Sequence, residues 1–299
     1  FLDMLYGARD ELVLGNPWDY GTDVGPVITE TARKEIEAHV ETARSEGRLL
    51  KQLKTPKEGT FVGPAAIRVD GMKDMHREIF GPVLHIATFK AQDVDRILAD
   101  VNASGYGLTF GLHTRIDDRV EHVTTSLNVG NIYVNRNQIG AIVGSQPFGG
   151  EGLSGTGPKA GGPNYVPRFT RLPEQLASKT VPSAPVDIKA VQKALDNLPD
   201  TGRTILKTLE MPGPTGESNR LSLFPRGKVL CLGPTPEDAS EQAQIAHENG
   251  CTALVVCPGV NDDSAIAGFL NRKDLAGLSG FALVALWSDE ADLRAARMA

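Results

Sequence analysis

The sequence predicts an α/β fold built on parallel strands, and three observations carry that expectation. Helix-period and strand-period segments alternate over residues 1–170. A linker-like stretch, PEQLASKTVPSAP, follows from Pro173 to Pro185, and the alternation then starts again. In this second part, Val229-Leu230-Cys231-Leu232 and Ala253-Leu254-Val255-Val256 are apolar without interruption, as strands covered on both faces require.

The elements follow in chain order. Phe1 to Leu5 reads as mid-helix sequence, so the chain is expected to be a piece of a longer polypeptide. Thr29 to Gly47 reads as a helix. Thr29 can cap it, Ala32, Ile36, His39, Val40 and Ala43 share one face, and Gly47 can end it. Phe61 to Val69 and Val83 to Phe89 read as strands. Asp93 to Asn102 is a short helix with Val94, Ile97, Leu98 and Val101 on its apolar face. The strand Leu108 to Thr114, the helix Asp117 to Leu127 and the strand Asn131 to Asn135 complete the first part. Beyond the linker come a helix at Val186 to Leu198, a strand at Gly227 to Gly233, and a helix from Pro236 to Asn249 closed by Gly250. The strand Thr252 to Cys257, a helix Ser264 to Leu275, the strand Phe281 to Trp287 and a helical end from Asp289 follow. The expected division is a domain over residues 1–172, a linker over 173–185 and a partial Rossmann-like α/β domain over 186–299.

A chain of 299 residues suits one large domain or about two ordinary ones. Its net charge of −6 argues against nucleic acid or an acidic membrane surface as the main partner. No apolar run approaches the roughly 18 residues that span a bilayer, and no signal-peptide pattern opens the chain. Cys231, Cys251 and Cys257 lie in or beside apolar strands, which reads as buried, reduced thiols of a cytoplasmic protein. Their spacing fits no zinc pattern, and no metal is expected.

The densest signal is Gly140 to Gly162, GAIVGSQPFGGEGLSGTGPKAGG, with nine glycines around Phe148, which reads as buried. Each glycine costs conformational entropy on folding, so such a cluster implies close backbone approaches or main-chain N–H groups offered to a ligand. Ile139, Ile142, Val143, Pro147 and Phe148 make it too apolar for a solvated linker. Gly150 to Gly155 matches G-x-G-x-x-G by letter. No strand precedes it and prolines prevent a helix from following, so it is not read as a dinucleotide turn.

Three groups of residues, in this order and spacing, resemble the C-terminal half of the NAD-dependent aldehyde dehydrogenase superfamily. They are Leu14-Gly15-Asn16-Pro17 with Asp23-Val24-Gly25-Pro26, then Glu78-Ile79-Phe80-Gly81-Pro82-Val83, then Asn128 to Asn135 leading into the glycine loop with Pro147-Phe148-Gly149-Gly150. Asn137 to Gly144 and Glu151 to Gly162 narrow the resemblance to the L-glutamate γ-semialdehyde dehydrogenases of bifunctional bacterial proline-utilisation proteins. Met211 to Arg220, with Gly213-Pro214-Thr215-Gly216-Glu217, is similar to the extra, non-catalytic domain of their longer members.

The resemblance implies a reaction in which a cysteine thiolate attacks the aldehyde, hydride passes to NAD, and water activated by a glutamate releases the acid. It implies that Glu78 accepts hydrogen bonds from the nicotinamide ribose and that Phe80 packs beside the nicotinamide. It makes Gly140 and Ala141 the main-chain anchor for the substrate's α-carboxylate, and Phe148 the cover of its aliphatic stem. The family usually has a small or hydroxyl residue at the Ala141 position, and alanine leaves only the backbone contact there. No cysteine precedes Cys231, so no catalytic residue is assigned, and this piece alone is expected not to turn over substrate. The resemblance further implies FAD in an upstream proline dehydrogenase domain, substrate channelling, a homo-oligomer, and a cytoplasmic protein able to sit peripherally at the inner membrane. Two other readings stay open: a single-function dehydrogenase of another ω-semialdehyde, and a non-catalytic dehydrogenase-fold assembly module. The second α/β unit counts against the first, and intact Glu78, Phe80 and Gly140 to Phe148 count against the second.

Overall fold

A threonine hydroxyl opens the helix that organises the first part of the chain. Thr29 Oγ1 accepts the Ala32 N–H at 3.1 Å, and helix α2 (Glu30–Ser45) follows α1 (Leu2–Asp10). Gly47, at φ 69°, ends α2 and turns the chain into strand β1 (Leu49–Gln52). The computed structural model describes residues 1–170, 184–262 and 264–299. Two compact units divide it, Phe1–Tyr106 and Gly107–Ala299.

In the first unit, β1, β2 (Ala65–Arg68) and β3 (Val83–Ile86) form a sheet in that order. β2 and β3 are parallel, as expected, while β1 runs antiparallel to β2. Strand β1 has no counterpart in the sequence reading, because Leu49-Leu50-Lys51-Gln52 lacks the alternation that marks a half-buried strand. The return is tight: Leu53 N–H bonds Pro64 O at 3.0 Å, and a Cβ on Gly63 would collide with the Leu53 carbonyl. Val40 and Ala43 of α2 pack on Ala65 and Ile67 of β2, so the helical period and the strand period meet in one core. Helix α3 (Val94–Ala103) buries Leu98.

The second unit begins with parallel strands β4 (Thr109–Leu112) and β5 (Asn131–Val134), joined through helix α4 (Asp117–Ser126). Helix α5 (Ile188–Asn197) precedes an antiparallel hairpin, β6 (Lys207–Met211) and β7 (Asn219–Leu223). Then come β8 (Lys228–Cys231), α6 (Pro236–Glu248), β9 (Thr252–Cys257), β10 (Ile266–Ala267), β11 (Leu283–Ala285) and α7 (Glu290–Met298). The four strands β10-β9-β8-β11 form one parallel sheet. Thr235 and Asp238 close a reciprocal capping box at the start of α6. Val191 and Leu195 of α5 cover Leu230, Leu254 and Val256. The α/β class is therefore as the sequence predicts. Of the expected linker, residues 173–183 lie outside the described residues; Pro185 bridges Phe269.

One expected element is wrong. Residues 264–275 do not form a helix: Ile266–Ala267 extends the sheet edge, and a 3₁₀ turn occupies Arg272–Gly277. The backbone groups find distant partners instead, with Gly268 N–H on Cys257 O at 3.2 Å and Phe269 N–H on Ala184 O at 3.1 Å. Gly268, at φ 142°, breaks the helical run. Arg272 is buried and pairs with Asp292 of α7 through two 2.8 Å contacts, which holds the Asp292 carboxyl below its usual range.

His39 of α2 and His85 of β3 meet at Nε2–Nε2, 2.9 Å apart, so one must donate and the other accept. Burial, then the Arg77 and Arg48 charges, lowers the His39 pKa; burial, then His39 and Arg48, lowers that of His85. The unfolded chain then binds more protons than the folded one between the depressed values and about 6.5. Stability is present in full above that range and is lost as pH falls through it. Urea midpoints for the first unit should fall on acidification below about pH 6.5, and His39→Gln should flatten that slope. An unchanged slope in the variant would show that the pair does not control it.

Candidate functional site

The residues singled out by the sequence fall into two groups, one in each unit. In the first unit, Glu78 and Phe80 lie in irregular chain between the Met72–Asp74 turn and β3. Just after them the chain is fastened. A Cβ on Gly81 would press into the Ile36 side chain of α2, and Pro82 O accepts the Ala65 N–H of β2 at 2.9 Å. Glu78 and Phe80 thus project from a held turn. Among the described residues Glu78 has no hydrogen-bond or ion-pair partner, and Phe80 is 81% exposed. A free carboxylate next to an uncovered ring is able to accept hydroxyl donors and to stack on a flat heterocycle.

In the second unit, β5 ends at Val134, and the next residue, Asn135, adopts φ 56°. Asparagine tolerates this left-handed conformation, and here its side chain locks it: Thr114 N–H donates to Oδ1 at 3.0 Å, and Nδ2 donates to Thr114 O at 2.8 Å. The loop returns to the strand it left. Asn131 Nδ2 donates to Pro147 O at 2.9 Å, and its Oδ1 accepts the Gly149 N–H at 3.1 Å. Phe148 then pairs with Ala160, N–H to O at 3.0 Å and O to N–H at 2.8 Å. Phe148 is partly buried, short of the buried position its sequence suggests. In this strand-like pairing, Pro147 and Gly149 on either side are the buried residues.

The glycines of the loop divide by cause. At Gly130 and Gly150 the backbone of a neighbouring segment leaves no room for a Cβ. At Gly140 a Cβ would meet nothing within 4 Å. The tip is closed by one side chain: Gln146 Oε1 accepts the Ile142 N–H at 3.1 Å, while Ile142 O accepts the Gln146 N–H at 2.9 Å. Among the described residues, the Gly140 and Ala141 N–H groups have no partner. Two adjacent amides without a partner in the protein, just before a closed turn, are donors available to an anion such as a carboxylate.

The G-x-G-x-x-G match leads into turns rather than a helix, as the sequence reading holds. The cysteines are buried, and burial pushes the Cys231 thiol up to about 12 and the Cys257 thiol up to about 11. Sequence reasoning assigned no role to Asn131, Arg136, Gln146, Lys159 or Glu217, although each touches the loop or its frame. Only the polar Asn131 beside an apolar strand gave a local hint.

The aldehyde dehydrogenase family model matches residues 1–173, and the chain belongs to that family. It is similar to the bifunctional protein PutA of Klebsiella aerogenes, at 41% identity over 285 residues, 85% of this chain and 22% of that protein. It also resembles a crystal structure of a Bradyrhizobium japonicum proline utilization A variant at 47% identity and TM-score 0.54, over 56% of this chain and 17% of the other. A 1-pyrroline-5-carboxylate dehydrogenase from Thermus with bound NAD matches at 33% identity and TM-score 0.51, over 56% of this chain and 33% of the other. The chain thus spans about a fifth of the curated relative's length.

The Asn135 turn yields a stability test. Asn135→Ala should cost about 2–3 kcal/mol, combining two lost hydrogen bonds with a left-handed backbone on a residue carrying Cβ. Asn135→Gly should cost about half as much, since only the bonds are lost. Urea unfolding of both variants checks the order, and equal losses would mean that backbone conformation contributes nothing.

Proposed function

We propose that this chain supplies substrate and cofactor contacts of an NAD-dependent L-glutamate γ-semialdehyde dehydrogenase, within a bifunctional PutA-type polypeptide of proline catabolism. The observation that carries the reading is the unpaired pair of amides at Gly140 and Ala141 in front of the Gln146-closed turn. They hold the α-carboxylate of the semialdehyde, and Phe148 covers its aliphatic stem. Fixed amides bind such a group without a mobile cation, each charge-assisted hydrogen bond contributing about 1.5–3 kcal/mol. Ala141 adds no hydroxyl, so affinity rests on the backbone.

In the first unit, Glu78 accepts the nicotinamide ribose hydroxyls and Phe80 packs on the nicotinamide. Their free carboxylate and uncovered ring fit that group. When bound, NAD supplies the hydride acceptor. The residues of this chain bind and orient; the nucleophilic cysteine and general base are supplied by other parts of the polypeptide. In this reading the piece alone is inactive, and the buried Cys231 and Cys257 thiols, pushed up by burial, are not its nucleophile. Residues 1–172 form part of the catalytic domain, and 186–299 an additional α/β module. An upstream FAD-dependent domain, channelling between the two active sites, a homo-oligomer and a cytoplasmic protein peripheral to the inner membrane belong to the same reading. No helix among the described residues is long and apolar enough to cross a membrane.

Kinetics of the complete polypeptide test the division of labour. Glu78→Gln should raise KM for NAD about tenfold and leave KM for the semialdehyde within about twofold. Phe148→Ala should do the reverse. If both variants shift the same constant, or neither, the assignment is wrong.

A further inference from the structure

The hairpin β6–β7 reaches the candidate loop through one carboxylate. Its turn is set by Gly216, at φ 87°, and by the Glu217 N–H on Pro214 O at 3.1 Å. Glu217 Oε1 accepts Gln146 Nε2 at 2.9 Å and Asn219 Nδ2 at 3.0 Å, and lies 3.0 Å from Arg136 Nη1. Asn219 contributes twice more: its Oδ1 accepts Gln146 Nε2 at 3.1 Å, and its Nδ2 donates to Pro212 O at 3.1 Å, across the hairpin. Glu217 and Arg136 are each about three-quarters buried, with side-chain exposures of 27% and 28%, so water screens this cluster less than it would a surface pair.

Gln146 is the link between the two systems. Its amide nitrogen is held by Glu217 and Asn219, while its carbonyl oxygen holds the Ile142 N–H. Fixing one end of a planar amide fixes the direction of the other. Ile142 follows Ala141 directly, so the orientation of the Gly140 and Ala141 amides depends on that bond. Arg136, at the other end of the same loop segment, meets the same carboxylate oxygen. Glu217 thereby bonds Gln146 at one end of residues 136–146 and pairs by charge, without a hydrogen bond, with Arg136 at the other.

We propose that Glu217 is a positioning residue for the carboxylate-binding loop. Through Gln146 and Arg136 it holds the Gly140 and Ala141 amides in the orientation that receives a substrate carboxylate. The hairpin that carries it belongs to the part of the chain beyond residue 173, outside the aldehyde dehydrogenase match. That later part therefore contributes to substrate affinity through the loop it braces. This inference rests on the anchor role proposed for Gly140 and Ala141.

The test uses the complete polypeptide with Glu217→Ala, Glu217→Gln, and hydrogen exchange over residues 139–147. Glu217→Ala should raise KM for the semialdehyde about tenfold, leave KM for NAD and kcat within about twofold, and speed exchange in 139–147 while β8 and β9 stay protected. Glu217→Gln keeps an acceptor for Gln146 and should recover most of the affinity. A Glu217→Ala enzyme with unchanged semialdehyde KM overturns the proposal, as does loss of kcat with KM unmoved. The anchor reading is checked separately in the unmodified enzyme. If L-glutamate fails to slow exchange in 139–147, that reading falls; if it slows exchange and Glu217→Ala behaves as wild type, only the brace falls.

Discussion

An ammonium group between two carbonyls holds the frame on which the candidate loop stands. Lys159 Nζ donates to Gly130 O at 2.7 Å and to Gly149 O at 2.5 Å, joining the start of β5 to the return of the loop. Burial depresses the Lys159 pKa; nearby Glu151 acts in the opposite sense, and Arg226 adds to the depression. The two backbones come so close that a Cβ on Gly130 would meet the Gly149 carbonyl, while Gly150 is closed in by Ser154. Many of the glycines therefore serve the frame, while Gly140 stands in open space. A loop made entirely of such permissive residues would wander; this one leaves at a locked Asn135 and returns to Asn131.

Within that frame, the division between used and unused main-chain amides has a chemical consequence. Ile142 N–H is taken by Gln146, while Gly140 and Ala141 keep theirs. An unpaired amide is a strong donor, and two in sequence suit an anion when both can point at it. The inertness of the cysteine thiols follows from the same kind of reasoning, since the apolar sheet that buries Cys231 and Cys257 opposes the thiolate.

The legible parts of the fold were those written locally. Helix α2 announced itself through Thr29, a clean apolar face and Gly47, and the box at Thr235 and Asp238 marked α6 as plainly. Residues 264–275 misled because Ala265, Ile266, Phe269 and Leu270 imitate helical spacing, whereas their backbone groups answer to Ala184 and Cys257 far along the chain. The hairpin β6–β7 was readable in principle, from alternation in Lys207 to Met211 and the glycine turn that follows. The roles proposed for Glu78, Phe80, Gly140, Ala141 and Phe148 came from family resemblance alone, for nothing in a lone carboxylate or glycine declares a ligand. The Gln146–Glu217 contact left no trace in sequence. Its partners stand 71 residues apart, and neither is unusual in its own neighbourhood.

The most direct measurement is a crystal structure of the complete polypeptide with L-glutamate bound. The account predicts one carboxylate of the ligand within hydrogen-bonding distance of both the Gly140 and Ala141 nitrogens, with the Ile142 amide still on Gln146. A glutamate whose carboxylates are held by side-chain cations, with those two amides facing water, would contradict it.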